Sequence, residues 1–152
     1  MTQPVAPRLD DQVCFALYAA SRAVTSLYRP LLDELGLTYP QYLVMMALWE
    51  HGELSVKDLG KALSLDSGTL SPLLKRLEKL ELVSRERRAD DERSVSIRLT
   101  EQGDALRAEA APLPAVIGEA MGLPAGELEE LRATLRVLTE SVNTFRETRP
   151  GV

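Results

Sequence analysis

Between Asp66 and Gly103 the apolar pattern changes its period, and that change limits what this chain can fold into. Leu70, Leu73, Leu74, Leu77 and Leu80 recur with the spacing of one helix face, while Thr69, Ser71, Lys75, Arg76 and Lys79 mark the other. Further on, Val95, Ile97 and Leu99 alternate with Ser94, Ser96 and Arg98 as in a half-buried strand, and Val83 to Arg87 supplies a partner. The stretch Arg88 to Arg93 between them is a polar loop with charges of both signs. A helix that feeds a charged hairpin is the pattern of a winged helix.

Upstream, Ser55 and Asp58 are spaced as a capping box, and Leu59, Ala62 and Leu63 give a short helix its inner face. The turn Leu65 to Gly68 then joins two helices as a helix-turn-helix, whose second helix enters the DNA major groove. Pro72 fits only the first turn of a helix without loss, so that helix begins near Ser67 to Thr69 or bends there. Thr69, Ser71, Pro72, Lys75 and Arg76 are the expected major-groove residues, with Ser67 on phosphate or capping the helix. Arg93 at the wing tip is the minor-groove candidate, Asp91 orients its guanidinium, and Arg88 meets the DNA backbone with Arg85 and Arg87. From Ser55 to Leu99 ten basic residues face eight acidic ones, although the whole chain carries −5. Positive charge gathered on one face lets an acidic protein bind phosphates locally.

The pattern Asp91-x-Arg93 followed by Leu99-Thr100-x-x-Gly103 resembles the wing-to-helix junction of MarR-type winged-helix repressors. The run Leu65 to Glu78, with Leu37-Thr38-Tyr39-Pro40-Gln41-Tyr42, is similar to one branch of that family, the organic hydroperoxide resistance regulators. The resemblance extends from about Asp10 to Phe145. It implies a homodimer that binds pseudo-palindromic double-stranded operator DNA. Such a dimer represses a peroxide-detoxification gene until an organic hydroperoxide modifies one cysteine.

The flanks are helical. Val13, Ala16, Leu17, Ala20, Val24, Leu27, Leu31 and Leu35 recur at threes and fours, with Asp10 or Asp11 to cap the start and Gly36 to end it. Thr38-x-x-Gln41 opens a second helix that is apolar on most sides and belongs inside. Thr100 caps a helix that runs to the Pro112-Leu113-Pro114 interruption. Beyond Pro124, Leu128, Leu131, Leu135, Leu138, Val142 and Phe145 form a seam that needs a partner helix. The expected fold is mainly α with a small β-hairpin wing. It is one domain over 1–152, with a winged-helix DNA-binding region at 38–100 and a helical dimerisation region at 10–35 and 101–146. No apolar run spans a membrane and the start lacks a secretory pattern, so the expected compartment is the cytoplasm. No Cys/His cluster or glycine-rich phosphate loop is present, so no metal, cofactor or enzyme activity is expected.

Cys14 is the only cysteine. A buried cysteine is ordinarily an inert small hydrophobe. Four tyrosines cluster nearby in sequence, however: Tyr18, Tyr28, Tyr39 and Tyr42. Tyr28 lies roughly 21 Å from Cys14 along one helix and cannot touch it within a chain. Two first helices crossing antiparallel would bring Tyr28 of one subunit to Cys14 of the other. The family resemblance matches Cys14 to the reactive cysteine, and Tyr18, Tyr28 and Tyr39 to the tyrosines around it. With no second cysteine to resolve a sulfenic acid, the expected route is a mixed disulfide with a small cellular thiol, or overoxidation. Three other readings are a repressor released by a reversible small aromatic ligand, a thiol peroxidase, and a structural dimer with no nucleic-acid role.

Overall fold

The computed structural model describes residues 2–88, 91–149 and 151, with the backbone alone at Arg88 and residues 91–93. After a 3-10 turn at Leu9–Asp11 come α1 (Val13–Asp33), α2 (Tyr39–His51), β1 (Glu53–Ser55), α3 (Val56–Leu63) and α4 (Ser67–Lys79). They are followed by β2 (Val83–Arg88), β3 (Asp91–Leu99), α5 (Glu101–Ala110), α6 (Leu113–Met121) and α7 (Ala125–Thr148). The chain divides into two compact units, Met1–Pro114 and Ala115–Val152, with the division falling inside α6.

The first unit is the mainly α, winged helix-turn-helix arrangement expected, built around α2. Thr38 closes a capping box: its hydroxyl accepts from the Gln41 N–H at 3.4 Å, and its own N–H donates to Gln41 Oε1 at 2.9 Å. Because α2 is apolar on nearly every side it is enclosed, with Tyr42, Val44, Met45 and Leu48 all buried. Leu32 of α1, Leu59 of α3, Leu70, Leu74 and Leu77 of α4, and Ile97 of β3 complete that core. Each such side chain contributes about 1.5–3 kcal/mol on burial. Gly36, at φ +71, turns the chain out of α1, as its place in the sequence predicts.

The local details differ from expectation at several points. The sheet has three strands in the order β1-β3-β2, all antiparallel, where a two-stranded hairpin was expected. At three residues β1 is too short to show alternation, and Ser55 serves both as its last residue and as the cap of α3. The added strand explains why Ser96, expected on the wet face, is buried: in the central strand its hydroxyl donates to the Glu53 carboxylate. Arg98 bridges Glu53 and Glu86 across the neighbouring strands, at 3.6 and 3.5 Å. The hairpin strands also run further into the charged stretch than expected, to Arg88 and from Asp91, past an irregularity at Arg87/Arg88. Leu80 follows the end of α4 and is exposed rather than part of the stripe, and Ala62 is likewise exposed. Neither Asp10 nor Asp11 caps α1; both lie in the 3-10 turn, and the cap position falls to Gln12, which gives no side-chain bond there.

The base of the wing is closed by a compact set of bonds. Thr100 accepts the Gly103 N–H at 3.0 Å, and its hydroxyl donates to the Glu81 carbonyl at 2.6 Å. Its own N–H donates to the Leu82 carbonyl at 3.1 Å. Gly103 sits so close to the backbone of Leu82 that a Cβ there would stand 2.0 Å from the Leu82 oxygen. Trp49 Nε1 donates to the Gly103 carbonyl at 2.9 Å, and Arg107 donates back to the Trp49 carbonyl at 2.8 Å.

In the second unit, α7 runs for 24 residues after Pro124 and none of them is fully buried. Leu128, Leu135 and Leu138 are half-buried, whereas Leu131, Val142 and Phe145 are exposed.

Candidate nucleic-acid interface and redox site

The recognition helix α4 is set by its cap. Asp66 Oδ1 accepts the Thr69 N–H at 2.7 Å, and hydrogen bonds from Thr69 hold its carboxyl below the usual range. The expected alternative role of Ser67 as cap is therefore corrected: Asp66 takes that position, and Ser67 is the first helical residue. With Leu70, Leu73, Leu74 and Leu77 turned into the core, Thr69, Pro72, Lys75 and Arg76 are presented outward. Ser71 is half-buried and, with Ser67, lines a groove of about 800 Å3 between α3, α4 and the sheet.

Lys57 and Lys61, one turn apart on the exposed side of α3, line the same groove together with Arg85 and Ser94. Reading the sequence for site residues passed over the two lysines. Their spacing opposite Leu59 is the signal that finds them, because it places both on the solvent face beside α4. Arg85, expected to meet the DNA backbone, is held by Glu78 of α4 at 3.3 Å. The hairpin backbone is placed at the expected wing, but the side chains of Arg88, Asp91 and Arg93 lie outside the described residues.

Cys14 is the second residue of α1 and its side chain is exposed. Tyr18 follows one turn later, also exposed, and its hydroxyl accepts from Arg22 at 3.4 Å while the guanidinium lies 5.6 Å from the ring centre. Within the chain, Tyr28 and Tyr39 are together but apart from Cys14. Their ring centres stand 4.8 Å from each other, and those of Tyr28 and Tyr42 stand 5.7 Å apart. Burial, reinforced by Tyr42 and Tyr39, pushes the Tyr28 phenol up to about 12, and burial raises Tyr39 and Tyr42 as well. At neutral pH these phenols keep their protons and can donate hydrogen bonds. Tyr42 itself is fully buried and belongs to the core. Among the described residues there is no group of acidic, His or Cys side chains able to hold a metal, and no helix is long and apolar enough to cross a membrane.

The family model described as transcriptional regulator SarA/Rot matches residues 26–109. The organic hydroperoxide resistance transcriptional regulator of Bacillus subtilis is 47% identical over 136 residues, covering 90% of this chain and 92% of its own length. Reduced AbfR bound to DNA, a structure of a Staphylococcus epidermidis protein, superposes with a TM-score of 0.71 at 35% identity, over 89% of this chain and 94% of that one. Disulfide-formed AbfR does so with a TM-score of 0.61 at 38% identity, over 87% and 93%.

Proposed function

Since the chain belongs to the MarR-type winged-helix regulators, in the branch of the organic hydroperoxide resistance regulators, we propose that Cys14 is the residue through which it senses oxidant. The protein is a DNA-binding transcriptional repressor that responds to organic hydroperoxide through its cysteine. The observation that carries the assignment to Cys14 is that the chain has this one cysteine and presents it, exposed, in the first turn of α1.

The Cys14 thiolate attacks the outer peroxide oxygen of ROOH. An S–O bond forms, the O–O bond breaks, and RO⁻ takes a proton to leave as the alcohol. The resulting sulfenic acid condenses with a small cellular thiol: an S–S bond forms and water leaves. Apolar Val13, Phe15 and Leu17 around Cys14 favour an alkyl or lipid hydroperoxide over hydrogen peroxide. In a homodimer built from residues 10–35 and 101–146, the first helices cross antiparallel, so that Tyr28 and Tyr39 stand beside Cys14 of the partner subunit. Their neutral phenols donate to the thiolate, and Tyr18 supports the same sulfur from its own helix. Bulk added at Cys14 breaks these bonds, shifts the first helices and changes the spacing of the two recognition helices, which must fit successive major grooves of a pseudo-palindromic operator. On DNA, Thr69, Ser71, Pro72, Lys75 and Arg76 read the major groove and Ser67 meets phosphate. Arg88, Asp91 and Arg93 serve the wing. The protein acts in the cytoplasm and is not an enzyme.

Gel-shift titration on the DNA upstream of its own gene tests this, with and without cumene hydroperoxide and cysteine. The reduced protein binds, the treated protein releases, and Cys14→Ser stays bound under both conditions. Release by Cys14→Ser, or release of the wild type with Cys14 unmodified by intact mass, overturns the assignment.

A further inference from the structure

Helix α2 has an aromatic anchor at each end. At its start Tyr39 and Tyr42 pack on Tyr28 of α1, with ring centres 4.8 and 5.7 Å away. Trp49 lies ten residues beyond Tyr39, roughly 15 Å along the helix axis. It is the only residue of α2 whose side chain hydrogen-bonds to α5 among the described residues. Its indole N–H donates to the Gly103 carbonyl at 2.9 Å, and its carbonyl accepts from Arg107 at 2.8 Å. Its ring also stands 6.3 Å from that of Tyr42, edge-on, so the aromatic chain continues from Tyr28 to α5.

The acceptor end of this link is the base of the wing. Gly103 rests against the backbone of Leu82, the residue before β2, with no room for even a Cβ. Thr100, the residue after β3, is bonded to Glu81 and Leu82. The first turn of α5 and both hairpin strands are therefore fixed to one another, and moving one moves the others. Between its ends α2 is tightly enclosed, with Val44, Met45 and Leu48 wholly buried, and a close-packed helix shifts as a unit rather than bending.

We propose that α2 is a rigid lever, and that Trp49 with Arg107 is the positioning pair through which a change at the tyrosine cluster reaches the wing. This rests on the sensing role given to Cys14 above. Helix α2 also packs directly on α3, α4 and β3, and the chain runs on from its end through Gly52 into β1, which pairs with β3. Gly52 turns the chain into β1 at φ +79, with its N–H donating to the Leu48 carbonyl at 2.7 Å, whereas the Trp49 link clamps α5 with two hydrogen bonds.

The test measures operator affinity for the reduced form and for the Cys14 mixed disulfide with cysteine, in the wild type, Trp49→Phe and Arg107→Gln. Intact mass confirms equal modification of Cys14. Trp49→Phe keeps an aromatic ring and removes the N–H, while Arg107→Gln changes an exposed side chain and decides the matter alone should Trp49→Phe not fold. In both variants the reduced form binds within about threefold of wild type, and the reduced-to-oxidised affinity ratio falls about tenfold, inside the usual range of coupling between sites. A Trp49 that merely fills space weakens both redox forms alike and leaves the ratio intact, which overturns the lever and leaves the signal to the other contacts of α2. A wild-type ratio of one overturns the sensing role of Cys14 itself and the lever with it, so the two failures are told apart in the wild-type arm.

Discussion

Tyr28 shows how far a single side chain can set the pH response of the whole chain. Its phenol is raised from 10.0 to about 12, chiefly because burial disfavours the charged form. A group whose folded pKa lies above its unfolded one adds stability that is complete below the unfolded value and disappears as pH climbs through the folded value. Resistance to urea should therefore decline between about pH 10 and 12, and Tyr28→Phe should flatten that decline, as followed by circular dichroism at fixed denaturant. At neutral pH the phenol is protonated with or without this shift, and that is the state a hydrogen-bond donor to sulfur requires. Gly103 acts through space instead of charge. A methyl there would meet the Leu82 carbonyl oxygen at 2.0 Å, and backbone cannot step aside as a flexible side chain can. Gly103→Ala should cost about 3 kcal/mol or more in a urea melt, among the larger effects for one substitution. Gly118→Ala, inside α6 with nothing within 4 Å of the added methyl, is the control that should raise stability slightly, by about 0.5–1 kcal/mol.

At the level of helices and strands, long apolar stripes were legible and short or distant partners were not. The stripe of α4 turned Leu70, Leu73, Leu74 and Leu77 inward as its spacing predicts, and so presented Thr69, Pro72, Lys75 and Arg76 outward. Replacing Arg87, expected on the DNA backbone, by Ala should lower the steepness of log affinity against log salt by about 0.9, the value for one phosphate left without its cation, measured by titration at several salt concentrations. Leu74→Ala should instead cost about 2–5 kcal/mol of stability, because that side chain is wholly buried. Three residues of β1 carry too little pattern to announce a strand, and without it Ser96 reads as solvated. Asp66 and Ser67 are both good caps in a bare sequence, and only the backbone turn decides between them. The bond from Trp49 to Gly103 spans 54 residues and leaves no local trace. Only the likeness of Leu99-Thr100-x-x-Gly103 to a family junction marked that glycine, and packing against Leu82 supplies its physical reason.

For the assembled repressor, the exposed seam of α7 sets the terms. Leu131, Val142 and Phe145 face solvent in the single chain, and in the dimer proposed above a second copy covers them. Leu131→Glu should shift the protein to monomer in sedimentation equilibrium and weaken operator binding about a hundredfold, because two half-sites are then no longer engaged together. Of the four tyrosines that stand out in the sequence, Tyr28, Tyr39 and Tyr42 pack together while Tyr18 pairs with Arg22, and the redox site proposed above needs a second protomer to bring that cluster to Cys14. At the junction of α2 and α5 the molecule also carries its own optical label. Trp49 is the chain's sole tryptophan, its indole N–H is committed to Gly103, and its ring lies 6.3 Å from Tyr42. Emission excited at the red edge of the absorption, where tryptophan absorbs and tyrosine does not, therefore comes from one chemically defined spot, and a spectral shift on peroxide treatment would time the arrival of the signal there without any dye.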